Sequence, residues 1–306
     1  MSELTVRGWR REDVDAAAGL TERRFAPDPA WDAEEARAQL ESDVLAGGAH
    51  VRVAEREGVV VGVASFVRSP PWLFLWPVMA DDGEAYGALI DAVIEAGRGD
   101  GIERARVSVR SGEPGKEAAV VARGFVRSID FVEVVRAGVA PAGEVRAPAE
   151  LVRCQVAALG GARRRAMHAT HDLAFAEIAN TVAMSDAVFD HMLEGPRAWP
   201  SVTAGWFLED GTCAGFVIGL RQADHGVVEA IGVHPTWRRR GLAAVMLHEL
   251  LAVAATEQVP EVRAMIASNN AGSLGLHAAA GFRERARKAV WDLELREARP
   301  FDSAAR

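Results

Sequence analysis

The sequence contains little cysteine, almost no lysine and no long apolar run, and each scarcity excludes a class of protein. Its 306 residues include two cysteines, Cys154 and Cys213, too few for a disulfide framework and without a CxxC pair. Arginine supplies nearly all of the positive charge, because Lys116 and Lys288 are the only lysines. A net charge of −8 argues against a general nucleic-acid binder.

No apolar run approaches the roughly 18–20 residues that a membrane-spanning helix needs, and the first residues form no signal-peptide core. Two isolated cysteines suit a reducing compartment. We therefore expect a soluble, cytoplasmic protein with no membrane partner and no nucleic-acid partner. With 49% hydrophobic residues, the chain is rich enough in apolar side chains to bury a sizeable core.

The order of predicted elements occurs twice along the chain. The hairpin turns Gly58 and Gly211 are 153 residues apart, whereas the Gly-Phe pairs that begin at Gly124 and Gly281 are 157 residues apart. Such an offset indicates an internal duplication. The sequence predicts a domain at 1–140, a linker at 141–160 and a second domain at 161–306, in which the first long helix is expected from Asp172.

One stretch of the second half, residues 229–253, changes period in its middle. Around the start of this stretch every second residue is apolar, except for Glu229, as on one face of a strand. Pro235 ends that pattern. After Gly241 the period becomes helical. The helical positions are Leu242, Met246, Leu250 and Val253. The sequence thus predicts a strand, a short basic loop and a long helix.

The loop between them carries Arg238, Arg239, Arg240 and Gly241 directly before the helix. The first turn of a helix offers backbone N–H groups that no helical carbonyl uses, together with the positive end of the helix dipole. Gly241 lacks a Cβ, which permits close approach of a ligand. These features predict a binding site for a pyrophosphate. An ordinary arginine-rich helix start is the alternative.

The motif Arg238-x-x-Gly241-x-Ala243 resembles the acyl-CoA pyrophosphate loop of the GNAT acetyltransferase superfamily. A second segment follows in the order and spacing of that family, and it consists of Asn270, Ser273, Leu276-His277 and Gly281-Phe282. The resemblance implies an α/β fold of the α+β type. It implies two GNAT-like domains, each a mixed, mostly antiparallel twisted sheet flanked by helices.

The resemblance also implies a set of residues that hold acetyl-CoA, the acyl-donor co-substrate. The strand edge at Ile231 and Val233 would pair with the pantetheine amides, and the side chain of Asn270 would contact the same arm. Asn270 is equally suited to cap a helix. The full set of expected contacts is Ile231, Val233, Arg238, Arg239, Arg240, Gly241, Leu242, Ala243, Asn270 and Ser273.

Two residues are candidates for proton transfer, because acetyl transfer needs a neutral amine and a protonated or stabilised leaving thiol. Glu229 is the expected base, since many GNAT enzymes carry an acid on this strand; a structural glutamate is the alternative, with Asp224 and His225 as other bases. His277 replaces the family's tyrosine and is the candidate acid; the alternative is a helix-surface or packed histidine with no role in proton transfer.

The first half carries no counterpart of the basic loop. Its matching segment, residues 79–84, is shorter and holds Asp81, Asp82 and Glu84. Carboxylates there would repel a pyrophosphate. Trp72 stands near the place of Glu229, which leaves this half without a base. We expect a degenerate first copy beside a working second copy.

The predicted function is acetyl-CoA-dependent N-acetylation of an unidentified small-molecule or peptide primary amine. The alternatives are a non-catalytic acyl-CoA sensor and a transferase that uses another acyl-CoA. No metal is expected, because His168, His171 and Asp172 fit capping and surface roles better than a zinc site. Five tryptophans could line an acceptor pocket or form core: Trp72, Trp76, Trp199, Trp206 and Trp237. The oligomeric state is left open.

Overall fold

A computed structural model describes residues 3–25, 33–138, 146–176, 184–222 and 224–295. The chain forms two compact units. Unit 1 is Met1–Ile129 with Lys288–Arg306, and unit 2 is Asp130–Arg287. The duplication boundaries of 1–140 and 161–306 describe the sequence repeat and stay a prediction; part of the expected linker, residues 141–145, lies outside the described residues.

Unit 1 contains a mixed sheet whose strands pair in the order β1-β2-β3-β4-β5-β12. All pairs are antiparallel except β4 with β5. Its elements along the chain are β1 (Leu4–Gly8), α1 (Val14–Phe25), α2 (Ala33–Leu40), β2 (Val51–Arg56), β3 (Val59–Ser69), β4 (Trp72–Ala80), α3 (Gly83–Gly97), β5 (Arg104–Arg110), α4 (Pro114–Ala122) and the second half of β12 (Arg283–Glu294).

Unit 2 repeats this plan with the order β6-β11-β10-β9-β8-β7, in which only β10 and β11 run parallel. Its elements are β6 (Val126–Ala137), β7 (Val152–Gln155), α5 (Gly161–Phe175), α6 (Asp186–Glu194), β8 (Ala204–Phe207), β9 (Cys213–Arg221), β10 (Gly226–Val233), α7 (Leu242–Thr256), β11 (Glu261–Ala267) and α8 (Ala271–Ala279). The expected mixed, mostly antiparallel sheets flanked by helices are confirmed in both units.

Two strands cross between the halves of the sequence. Residues 288–294 of β12 pair with β5, so the last described strand of the chain completes the sheet of unit 1. Residues 131–137 of β6 pair with β11 and belong to unit 2. Each unit therefore takes its closing strand from the other half of the chain.

Local chemistry explains most of these elements. The β2–β3 hairpin turns on Glu57 and Gly58, which both have positive φ, as the tight turn between right-twisted strands requires. Helix α7 is apolar on most sides and buries seven residues, as expected for a helix central to its unit. These residues are Leu242, Val245, Met246, Leu247, Leu250, Leu251 and Ala254.

The prediction that the first long helix of the second half begins at Asp172 was wrong, because α5 begins at Gly161. Its buried residues are Met167, Thr170 and His171, two of which are polar. A polar inward face conceals the apolar periodicity that marks a helix in a sequence. Most of the last residues expected of that helix, 177–181, lie outside the described residues.

Candidate active site

Strand β10 carries a β-bulge at Glu229. Val228 lies opposite Gly219 on β9 and Ala230 lies opposite Ile218, so Glu229 is the extra residue between them. A bulge bends the strand and re-aims its side chains. Glu229 is exposed while its two neighbours in the chain are buried. The sequence pattern did not reveal this bulge, because the alternation of apolar residues continues through it.

Beyond the bulge, β10 separates from β11. Their parallel pairing joins residues 226–228 to residues 262–264 and goes no further, although both strands continue. Residues 229–233 keep their ladder with β9 on the other side. The edge of β10 that faces β11 is therefore open over the described residues 229–233. An extended ligand with amide groups can pair with such an edge as an added strand does.

The basic loop follows this edge directly. A short 3-10 turn at Pro235–Trp237 leads to Arg239 and Gly241, whose φ angles are +64° and +79°. Arg240, which lies between them, does not share their positive φ. A backbone in which left-handed residues alternate with others can turn successive N–H groups toward one side. Such a concave array binds anions.

Helix α7 begins at this array without a capping side chain among the described residues. Its first turn contains no acidic residue, so nothing there opposes an incoming anion. A Cβ placed on Gly241 would have no atom within 4 Å, which shows that space lies beside the loop. Three features therefore suit this site to a pyrophosphate: the backbone N–H donors, the positive end of the helix dipole and the open space beside Gly241.

The arginines of the loop contact neighbouring elements. Nη2 of Arg238 donates to the carbonyl oxygen of Ala174 in α5, at 3.5 Å. The guanidinium of Arg240 lies 4.4 Å from the ring centroid of Trp237, which is a cation–π distance. The contact with Ala174 was missed from the sequence, because it joins residues 64 positions apart in the chain.

Asn270 is the N-cap of α8. Its Oδ1 accepts a hydrogen bond from the backbone N–H of Ser273 at 3.0 Å. The capping role of Asn270 considered from the sequence is therefore present. The predicted contacts of Asn270 and Ser273 with a cofactor stay predictions.

His277 lies one turn further along α8 and is buried, with 3% of its surface exposed. Its Nδ1 donates to the carbonyl oxygen of Ser273 at 2.9 Å, and its ring meets Phe282 edge-on at 5.0 Å. Burial lowers the pKa of His277, an effect that the hydrogen bond to Ser273 opposes. A proton donor near neutral pH would need the charged form, which this environment disfavours.

The other candidate bases lie at the start of β10. Nδ1 of His225, a buried residue, is 2.7 Å from Oδ1 of Asp224. Burial acts to raise the pKa of Asp224, but the hydrogen bond and charge of His225, with Arg263, lower it overall. This pair is separated from Glu229 by three residues of strand, so the structure does not bring the candidate bases together in one cluster.

The tryptophans mostly belong to the core. Trp72, Trp199, Trp206 and Trp237 are buried, whereas 49% of Trp76 is exposed. The prediction of an aromatic acceptor pocket thus retains support only at Trp76. The described residues contain no group of three or more His, Cys, Asp or Glu side chains that could hold a metal ion. In the same part of the chain, every helix is too short or too polar to span a membrane.

Comparison with known proteins agrees with this geometry. Residues 169–282 match the model of the acetyltransferase (GNAT) family. A GCN5-related N-acetyltransferase from Sphaerobacter thermophilus aligns with a TM-score of 0.78 and 19% identity, covering 96% of each chain. A tandem GNAT protein from the clavulanic acid biosynthesis pathway has a TM-score of 0.73 and 18% identity, covering 97% of this chain and all of its own. No functionally curated protein matches the sequence.

Proposed function

Because residues 169–282 match the model of the acetyltransferase (GNAT) family, we propose that the chain is a GNAT acyltransferase that transfers the acetyl group of acetyl-CoA to a primary amine. The observation that carries this proposal is the continuity of the open β10 edge with the anion-binding loop and the uncapped start of α7. An acyl-CoA has the matching parts in the matching order, namely an amide-rich arm and a diphosphate.

Different residues of the chain would bind different parts of the acyl-CoA. Backbone N–H groups of residues 239–243 would donate to the diphosphate, with Arg238, Arg239 and Arg240 adding positive charge. The backbone at Ile231 and Val233 would pair with the pantetheine amides. Asn270 and Ser273, at the start of α8, would border the same arm.

Acetyl-CoA supplies an activated acyl group, and the transfer forms a C–N bond as the C–S bond breaks. The protein must take one proton from the attacking amine and deliver one to the leaving sulfur. Glu229 is the proposed base, directly or through water, because the bulge exposes it at the point where β10 leaves β11. Proton donation by His277 stays a prediction.

The acceptor is proposed to be a small-molecule or peptide amine. The first half of the chain is proposed to be a degenerate copy without a cofactor site of its own. A reducing, cytoplasmic setting is consistent with Cys154 and Cys213, which are both buried and unbridged.

The test combines calorimetry with a thiol-release assay. We expect acetyl-CoA to bind with micromolar affinity, and thiol to be released when the right member of a panel of amines is added. Binding without release for any amine would favour the acyl-CoA sensor. If succinyl-CoA or propionyl-CoA bound more tightly than acetyl-CoA in competition, that acyl-CoA would replace acetyl-CoA as the proposed donor. Absence of binding by any acyl-CoA would overturn the proposal.

A further inference from the structure

Two residues stand at the point where β10 and β11 separate. The parallel pairing of these strands ends at Val228 on β10 and Ala264 on β11, so Glu229 and Met265 are the first residues beyond it. Met265 is therefore the residue of β11 that lies nearest in register to the proposed base.

Met265 is exposed although its strand is internal. Strand β11 lies between β10 and β6 in the order of the sheet, yet 38% of Met265 is accessible. Large apolar side chains on internal strands are normally buried. An apolar group placed against Met265 would remove this surface from water, which is favourable.

Met265 lies on the face of the sheet that points away from α7. Its neighbours in the strand, Ala264 and Ile266, pack in the same cluster as α7, and side chains alternate along a strand. Phe131 and Val135 of β6 lie diagonally across from Met265 on its own face, and both are half-buried. These three residues, Met265, Phe131 and Val135, form an apolar patch beside the point of separation.

The charged side chains next to the apolar patch are already paired. Glu133, directly opposite Met265 on β6, accepts a hydrogen bond from Nη1 of Arg285 at 3.1 Å. Arg263, two residues before Met265, donates through Nε to Glu261 at 2.5 Å. A second ammonium group on an acceptor would lose its water here and meet only carboxylates that an arginine already binds, which is unfavourable. An apolar chain has no such hydration to lose.

We propose that the acceptor is a primary amine that carries an apolar chain. The apolar patch binds that chain, and the amino group lies at Glu229. Met265 is then a residue that determines acceptor specificity. This inference rests on the proposed function, because it names the substrate class of the same site.

The first experiment measures thiol release from acetyl-CoA with a series of primary amines. Between ethylamine and hexylamine, kcat/KM should rise about two- to fourfold for each added methylene, because each one removes apolar surface from water. The diamine of the same length as hexylamine should give a kcat/KM at least about tenfold lower than hexylamine, because its second ammonium is desolvated without a free partner.

The second experiment repeats the series with Met265→Ser. Unit 1 carries Ser108 at this place, as the first residue of β5 beyond its parallel pairing with β4. In Met265→Ser, kcat/KM for hexylamine should fall about tenfold, the effect of a small change in an apolar pocket. For ethylamine it should change less than about twofold, because that amine is too short to cover the patch. Calorimetry should give the acetyl-CoA affinity of the wild type.

Two further variants complete the comparison. Met265→Gln nearly conserves the side-chain volume and should show the same loss for hexylamine, which separates the apolar contact from the filled space. It also provides the comparison if Met265→Ser does not fold. Val59→Ser is the matched control, because it removes another exposed apolar side chain, on β3 of unit 1. It should leave the whole series unchanged.

Three results would overturn the inference and leave the proposed function standing. They are a kcat/KM that does not rise with chain length, a preference for the diamine or for a peptide amine over hexylamine, and an equal loss for all amines in Met265→Ser, which would assign Met265 a structural role. A protein that binds acetyl-CoA and acetylates no amine would instead overturn the proposed transfer, and the inference with it.

Discussion

The two units begin their central helices in opposite ways. Helix α3 of unit 1 is capped by Asp82, whose Oδ1 accepts from the N–H of Ala85 at 2.9 Å and whose Oδ2 bonds Arg56 at 2.8 Å. These contacts, the bond from Ala85 first, lower the pKa of Asp82. Helix α7 of unit 2 begins at Gly241 with no such carboxylate. In unit 1 the protein's own carboxylate occupies the place where we propose that unit 2 binds an anionic ligand.

The space beside these helices differs as well. In unit 1 the starts of α3 and α4 touch, since a Cβ on Gly83 would lie 3.5 Å from the carbonyl oxygen of Gly115. In unit 2 a Cβ on Gly241 or on Gly275 of α8 would meet nothing within 4 Å. The loop before the helix is also shorter in unit 1, where it consists of residues 81–82, than in unit 2, where it consists of residues 234–241.

The sheets themselves have changed much less. In unit 1 the parallel pairing of β4 with β5 also stops partway, after Leu75, and β4 also bulges. The spacing of 153 residues places Trp76, within that bulge, at the position of Glu229. The prediction that Trp72 holds this position was wrong. The two units thus share this strand arrangement, whereas only unit 2 carries the basic loop before its helix.

The strongest test of this contrast places a carboxylate in the loop of unit 2. Gly241→Glu should reduce acetyl-CoA affinity by about 100-fold or more, because it adds like charge and a side chain at the anion site. Calorimetry measures the loss. Gly112→Glu adds the same charge at a glycine of unit 1 with similarly positive φ and open space, and it should bind normally. Equal acetyl-CoA affinities of the Gly241→Glu and Gly112→Glu proteins would contradict the proposed difference in binding between the units.

Exchanging the bulge residue tests the chemistry. Glu229→Gln should lower kcat by about 100-fold while leaving acetyl-CoA affinity nearly unchanged, because a general base contributes roughly 10²–10⁴-fold. Steady-state kinetics across pH measure it, with Asp224→Asn as the matched comparison. Full turnover in Glu229→Gln would remove this residue from the mechanism.

Unit 1 should be stabilised by removing its buried lysine. Lys116, 7% exposed, lies at the start of α4, and its Nζ is 3.7 Å from Glu113. Burial lowers the pKa of Lys116. Lys116→Met should raise the free energy of unfolding by about 1 kcal/mol, because it removes the cost of burying a charged ammonium, while Glu113 keeps its bond from the N–H of Arg110. Denaturant unfolding measures it, and the half-buried Lys288 offers Lys288→Met as a control with a smaller expected effect.

The Asp82 carboxylate could act only as a helix cap, or it could also keep an acyl-CoA out of unit 1, and its removal distinguishes these two roles. Asp82→Ala should cost about 1 kcal/mol of stability through the lost cap. It should not create a second acyl-CoA site, because the starts of α3 and α4 still touch. Chemical unfolding gives the first quantity, and the calorimetric stoichiometry gives the second. A second equivalent of bound acetyl-CoA would show that Asp82 alone closes unit 1.

The smallest expected effect concerns pH. The pKa of His277 lies below its ordinary value in the folded protein, so the unfolded chain binds more protons near that range. The stability from neutral His277 is present above about pH 6.5 and is lost as pH falls through the lowered pKa. Relative to His277→Leu, the wild type should lose a fraction of a kcal/mol to about 1 kcal/mol between pH 7 and pH 5. A difference in stability between the wild type and His277→Leu that stayed constant from pH 7 to pH 5 would contradict the lowered pKa of His277.

The sequence predicted those parts of the molecule that depend on local chemistry. The end of β10 before Pro235, the start of α7 at Leu242, the turn at Gly58 and the cap at Asn270 follow from periodicity, positive φ and side-chain hydrogen bonding. The bulge at Glu229 and the burial of His277 did not follow, because the first depends on the pairing with β9 and the second on the residues that pack against α8. The roles of Glu229 and His277 in chemistry stay predictions.

The exchange of closing strands has a consequence for synthesis on the ribosome. The sheet of unit 1 is completed by residues 288–294, which follow all of unit 2 in the sequence. The first half therefore cannot complete its sheet while the second half is still being translated, even though its other strands are adjacent in sequence. Strand β5 therefore keeps an unpaired edge until residues 288–294 have been made, whereas the described strand pairings of unit 2 use no residue beyond Ala267.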